Sequence, residues 1–229
     1  MADLEIYLSR LVLDPHRREV WRAAADCHAL HRAVLAAFPD GAGPEARAAF
    51  GVLHRLELDP EGRAPTLLVQ SAVVPDWSRP GAAGAWAANA RPEVKEVGAA
   101  YAAIAAGDRL RFRLRANPTR RVHAVHAGDD KLAGKRVDLR DEDKRLDWLG
   151  RKGEHHGFGV VAAEVRPGSP GNRDRGRPGG GAAPIAFGAA LYEGVLEVAD
   201  AAAFGAALRA GVGPGRAFGF GLLSVARGR

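Results

Sequence analysis

The 229 residues include a single cysteine, Cys27, so no disulfide can form within the chain and a reducing compartment is expected. No stretch approaches the ~20 apolar residues that a membrane span needs. Met1-Ala2-Asp3-Leu4-Glu5 opens acidic, without the apolar run of a signal peptide. A cytoplasmic protein with no membrane partner is expected. A Gly-x-Ser-x-Gly elbow is missing, and no pair of carboxylates stands out for hydrolase work. The glycine-rich stretch 211–221 lacks the Gly-Lys-Ser/Thr of a phosphate-binding P-loop. It also leads into a strand, where a dinucleotide fingerprint would open a helix.

What the chain does have is an excess of base. Lys and Arg number 33 against 27 Asp and Glu, a formal charge of +6 that favours a polyanionic partner. The length suits one large domain or two small ones.

Ile6 to Leu13 alternates apolar and polar residues and reads as a strand. Asp26 offers a helix N-cap, and Leu30, Val34 and Phe38 follow at i, i+4, i+8 until Pro39-Asp40-Gly41 stops the helix. Strands are predicted over Gly51 to Leu58 and Thr66 to Val73, joined by Asp59-Pro60-Glu61-Gly62. This β-α-β-β run is the start of a ferredoxin-like unit. Residues 78–92 read as a loop or linker.

The second half repeats the order in full. A strand through residues 109–115 is followed by a helix from Glu142 to Arg151 that Asp141 can cap, and by a strand at Val160 to Val165. Residues 166–183 have almost nothing to bury and are expected to be mobile. Ile185 to Val198 reads as strand, Asp200 caps a helix ending at Gly211, and Ala217 to Val225 is the expected last strand.

Four features carry candidate chemistry. Arg109, Arg111, Arg113 and Arg115 alternate with apolar residues, which puts four arginines on one strand face over ~20 Å. No matching acidic strand is visible, so a phosphate backbone would neutralise them; ion pairs to scattered Asp and Glu are the other reading.

Gly211, Gly213, Gly215, Gly219 and Gly221 either form an anion-binding concavity beside Arg216 or make a tight helix-to-strand turn. The segment with Arg166, Arg173, Arg175 and Arg177 either enters a nucleic-acid groove or is a basic loop.

His28 and His31, at i, i+3, share a helix face. Helix N-terminal amides and Arg32 would hold them neutral, as a general base requires; partly buried polar packing is the alternative. Cys27, His28 and His31 do not have a recognised zinc spacing, and neither metal nor cofactor is expected. His54, His123, His126, His155 and His156 show no partner pattern and default to solvent or structure.

The segments Tyr7-Leu-Ser-Arg-Leu-Val-Leu, Leu30-His31-Arg32, Leu67-Leu-Val-Gln70-Ser71 with Pro75, Phe112-Arg-Leu-Arg-Ala-Asn117-Pro118, Gly134-Lys135-Arg136, Trp148-Leu149 and Gly211-Val-Gly-Pro-Gly-Arg-Ala-Phe-Gly-Phe-Gly-Leu-Leu-Ser224 occur in this order. Together they resemble the CasE family, the CRISPR repeat-processing endoribonucleases of the type I-E Cascade complex. The resemblance spans nearly the whole chain.

It implies an α+β fold of two tandem ferredoxin-like (RRM-like) domains with antiparallel sheets. Residues 1–95 would carry the catalytic helix and 104–229 the glycine-rich loop. It further implies metal-independent cleavage of a CRISPR repeat hairpin at the 3′ base of its stem, with the crRNA product retained among other Cascade subunits.

His31 matches the family's catalytic histidine, and His28 stands where the family has a tyrosine. Arg32, Arg109, Arg111, Arg113, Arg115, Asn117, Arg120, Lys135, Arg136, Arg166, Arg173, Arg175 and Arg216 are the expected RNA contacts. The rivals are a non-catalytic RNA-binding subunit of a CRISPR ribonucleoprotein and a histidine-dependent hydrolase unrelated to RNA.

Overall fold

The structure, a computed structural model, describes residues 5–58, 63–88, 92–122, 134, 136–168, 173–174 and 185–228. The first half runs β1 (Tyr7–Val12), α1 (Arg18–Ala25), α2 (Cys27–Leu35), a 3-10 turn (Gly43–Glu45), α3 (Ala46–Ala49), β2 (Leu53–Glu57), β3 (Thr66–Ser71), a second 3-10 turn (Ala83–Trp86) and β4 (Glu93–Glu96). After α4 (Gly98–Ala102) come β5 (Arg109–Ala116), β6 (Thr119–Arg121), β7 (Arg136–Asp138), α5 (Glu142–His155) and β8 (Phe158–Pro167). Then follow β9 (Arg173–Asp174), β10 (Ile185–Ala186), β11 (Ala190–Val198), α6 (Ala201–Ala210) and β12 (Leu223–Arg227).

Two four-stranded antiparallel sheets result, ordered β2-β3-β1-β4 and β12-β5-β11-β8. Each half follows the ferredoxin-like pattern. β6 with β7 and β9 with β10 form two small hairpin sheets.

Strand alternation explains the second core. Leu110, Phe112, Leu114 and Ala116 of β5 turn inward, against Trp148 and Leu149 of α5 and Phe204 and Leu208 of α6. Burying each large apolar side chain contributes roughly 1.5–3 kcal/mol. The Asp141 carboxylate accepts the Lys144 N–H, and that of Asp200 accepts the N–H groups of Ala202 and Ala203, capping both helices. The first core joins Leu11, Leu13, Leu67 and Val69 of the sheet to Leu30, Val34 and Phe38.

The structure departs from the sequence reading in the short elements. An extra helix, α1, precedes α2; it buries Val20 and Ala23 and ends where Asp26 turns extended (φ −133°, ψ 97°) to cap α2. Residues 78–92 do not merely link. Trp77, Ala82 and Ala83 are buried, and the 3-10 turn at Ala83–Trp86 stands between β3 and β4, where the pattern calls for a second helix. A Cβ on Gly84 would collide with the Trp77 carbonyl oxygen, so only glycine lets this turn close.

The expected strand from Ile185 to Val198 is broken into β10 and β11. The last strand is shorter than expected, because Arg216–Phe218 forms a 3-10 turn.

The halves are pinned by buried polar groups. Arg55 of β2 is 2% exposed; it donates to the carbonyls of Arg113 (3.1 Å) and Leu222 (3.0 Å), to Ser224 Oγ (3.0 Å) and to Glu57 (2.9 Å). Gln70 of β3 donates to the Leu208 carbonyl at 2.8 Å and faces the Tyr101 hydroxyl at 3.2 Å. Gly211, at φ 80°, lies where a Cβ would meet Leu53 at 2.9 Å, which brings the glycine-rich segment against β2.

Candidate nucleic-acid interface and histidine centre

Asp26 fixes the start of α2 by accepting the N–H groups of His28 (3.0 Å) and Ala29 (3.2 Å). Cys27, Leu30, Ala33 and Val34 then bury one face. His28 and His31, one turn apart, lie beside that face with their rings 6.5 Å apart. The His31 ring also stacks on His54 of β2, at 6.2 Å and 27°. His54 is fully buried. Among the described residues neither of its ring nitrogens has a hydrogen-bond partner, and neither does His31 Nδ1.

Burial pushes His31 down to about 4, with His28 and Arg47 adding repulsion. Burial likewise pushes His54 down to about 3, reinforced by His31, Arg115 and Arg47. Both imidazoles are therefore neutral near pH 7, the state a general base needs. The cause differs from the expected one: desolvation dominates, rather than helix amides and Arg32.

A cleft of about 550 Å³ is lined by Arg47, Arg136, Lys152, His155, His156 and Arg216, together with the loop Gly213–Ala217. None of its lining residues is acidic. Arg47 faces this cleft and also presses on the histidine pair, so the basic surface borders the histidine centre. Such a surface suits a phosphate backbone.

All five glycines of the segment have φ between 80° and 90°. Their turns fold the segment onto the protein: Gly219 lies where a Cβ would touch His54 at 3.5 Å. The positive φ values and close packing fit the tight-turn reading of the glycines, while Arg216 of the same segment lines the basic cleft.

A second cavity, about 210 Å³, opens between the halves beside Leu30, Arg55, Glu57, Arg113, Arg115 and Arg166. The Arg115 guanidinium sits over the Phe220 ring at 5.2 Å, and burial lowers it to about 10.

A family model described as CRISPR associated protein matches residues 6–227. The CRISPR-associated endoribonuclease Cse3 of Thermus thermophilus is 36% identical over 228 residues, covering 96% of this chain and 100% of Cse3. The chain belongs to the CRISPR-associated protein family. Among solved structures, Thermus thermophilus Cse3 bound to an RNA representing a pre-cleavage complex aligns with a TM-score of 0.75 at 33% identity, covering 97% of this chain and 99% of that one. Cas6e from Escherichia coli K-12 aligns with a TM-score of 0.65 at 26% identity, covering 96% and 99%.

In this CRISPR-associated chain the expected site residues do not all gather. His28 and His31 meet, and Arg136 and Arg216 line the basic cleft beside them. Arg32 is exposed on the far side of α2, in a groove with Glu19, Arg22 and Trp86. Arg120 stands apart, beside Asp138, Asp141 and Lys144. Asn117 is only 7% exposed, with Oδ1 buried and unbonded among the described residues.

The arginine-faced strand needs a larger correction. Two of its four charges are matched: Arg109 pairs with Glu197 of the neighbouring β11 at 2.8 Å, and Arg113 with Glu193 of β11 at 2.9 Å and Glu57 of β2 at 3.1 Å. Antiparallel register sets Glu193 and Glu197 directly opposite the two arginines, although they lie far away along the chain. Arg111 is exposed, and Arg166 pairs with Glu164 at 3.3 Å on the surface. Lys135, Arg175, Arg177, His123, His126 and most of the stretch expected to be mobile lie outside the described residues; of Arg173 only the backbone strand is described.

Sequence reasoning missed His54, Arg47, Lys152, His155 and His156 as neighbours of the site. The one local signal was two adjacent polar residues, His54-Arg55, between Leu53 and Leu56; an edge strand buried on both faces can hold them only if another element covers them.

Proposed function

We propose that this chain is a CRISPR-associated endoribonuclease that binds the repeat hairpin of a precursor RNA and cuts it at the 3′ base of the stem. The observation that carries this reading is a neutral, partly exposed His31 at the border of a cleft whose charged lining residues are all basic. Full-length similarity to Cse3, named an endoribonuclease and solved with RNA in a pre-cleavage complex, supports it.

The ribose 2′-OH at the cut site attacks the adjacent phosphate, leaving a 2′,3′-cyclic phosphate and a 5′-OH. His31 takes the 2′-OH proton, which its neutral state allows. His28, on the same face of α2, protonates the leaving oxygen or orients the phosphate. Arg216, Arg47 and Lys152 stabilise the growing negative charge in place. The nucleophile is already in the substrate, so proton transfer suffices and no metal enters the reaction.

Residues 1–95 and 104–229 act as two domains, the first supplying the histidines and the second the glycine-rich loop. The product stays bound, as the 3′ handle of a Cascade subunit in the cytoplasm. No helix among the described residues is long and apolar enough to cross a membrane.

The test is incubation with the repeat hairpin from the same genome, in chelator, with both product ends mapped. Wild type should cut once at the base of the stem. His31→Ala should abolish cutting while hairpin affinity is largely kept, and a 2′-deoxy substitution at the cut site should block it. Near-normal cutting by His31→Ala, or dependence on added magnesium, would overturn the mechanism.

A further inference from the structure

We propose that His54 is a positioning residue for His31: it accepts a hydrogen bond from His31 Nδ1 and so presents Nε2 to the RNA. The inference rests on the reading of His31 as the catalytic base.

His54 is an unusual residue for its place. It lies on β2, an edge strand, and the turn carrying Gly219 closes over its ring. Leaving both ring nitrogens buried and unbonded costs about 1–3 kcal/mol each. A phenyl ring of similar shape would fill the same space without that cost, so packing gives no reason for an imidazole here.

The stacked ring of His31 supplies a reason. Its Nδ1 is also buried and unbonded, and its ring centroid lies 6.2 Å from that of His54. In a neutral histidine, the hydrogen bond made by one nitrogen decides which nitrogen carries the proton. A general base acting through Nε2 must hold its proton on Nδ1, and that N–H needs an inward acceptor. A buried carboxylate fills this role in the serine-protease triad. Among the described residues no carboxylate bonds either ring, and a neutral His54 nitrogen is the acceptor that the fold provides.

Burial keeps His54 in that state, and the surrounding charges reinforce it. His31 from α2, Arg47 from α3 and Arg115 from β5 all oppose a proton on His54. Each neutral ring keeps its one N–H, and the proton taken from the RNA is held by His31 rather than His54. At a ring separation of 6.2 Å the bond is not yet made. Catalytic hydrogen bonds commonly tighten only when substrate is bound.

The test uses three full-length variants, His54→Phe, His54→Gln and His54→Ala, with single-turnover cleavage of the repeat hairpin across pH, hairpin affinity and urea unfolding. Phe keeps the ring and removes the acceptor. It should cut about 10- to 100-fold more slowly with hairpin affinity nearly unchanged. The inflection that reports His31 should move to lower pH, because the imidazolium has lost its acceptor. Gln restores an acceptor and should recover part of the rate, whereas Ala should be at least as slow as Phe.

A His54→Phe protein that cuts at the wild-type rate with an unmoved inflection would overturn the inference. So would a Gln variant that is folded yet no faster than Phe. If wild type itself leaves the hairpin intact, the endoribonuclease reading fails instead, so the two failures are distinguishable.

Discussion

Replacing His54 by Phe should remove about 3 kcal/mol of acid sensitivity from the folding equilibrium. In the unfolded chain the imidazole titrates at 6.5; in the folded protein burial lowers it to about 3. The unfolded state therefore binds the proton first. The stability tied to neutral His54 is fully present above about pH 6.5 and is lost as pH falls toward 3.

At about pH 4.5 the loss spans about two pH units, at about 1.4 kcal/mol each, or about 3 kcal/mol. His31, lowered to about 4, acts in the same direction. Its partial exposure leaves a smaller share, about 1 kcal/mol after solvent screening. Urea unfolding of wild type and His54→Phe at about pH 7.5 and about pH 4.5, followed by tryptophan fluorescence, isolates the His54 share as a difference of differences. Carboxylates elsewhere cancel in that comparison. If the two proteins lose stability in parallel, to within about 1 kcal/mol, His54 is not held neutral by burial and the electrostatic argument for the site collapses.

Two further outcomes follow from the geometry. Arg55→Met should cost about 3 kcal/mol in urea unfolding, since it strips the Arg113 and Leu222 carbonyls of their donor while Glu57 keeps Arg113; a cost below about 1 kcal/mol would mean that the halves are not pinned there. Lys152→Ala and Arg216→Ala should each lower the salt slope of hairpin binding by about one unit, whereas Arg109→Ala, already paired with Glu197, should leave it unchanged. Equal slopes for wild type and all three variants in a filter-binding titration would remove the basic cleft from the interface.

Local physics made much of this protein legible in advance. Alternation along residues 109–116 determined that β5 buries Leu110, Phe112 and Leu114, and the carboxylates of Asp26, Asp141 and Asp200 marked where three helices begin. The i, i+3 spacing likewise placed His28 and His31 on one face. These features depend on neighbours within a turn or two of chain, so residue order is enough to show them.

Tertiary structure decided the rest, because it depends on residues that are distant in sequence. Pairing of β5 with β11 supplied the glutamates that neutralise Arg109 and Arg113, which no local pattern reveals. Packing of the glycine-rich segment against β2 enclosed His54 and set its ring against His31. It also gathered Arg47, Arg136, Lys152 and Arg216 around one cleft. The sequence determined which residues could do chemistry; burial, which exists only in the folded chain, decided that His31 is neutral and that His54 lies beneath it.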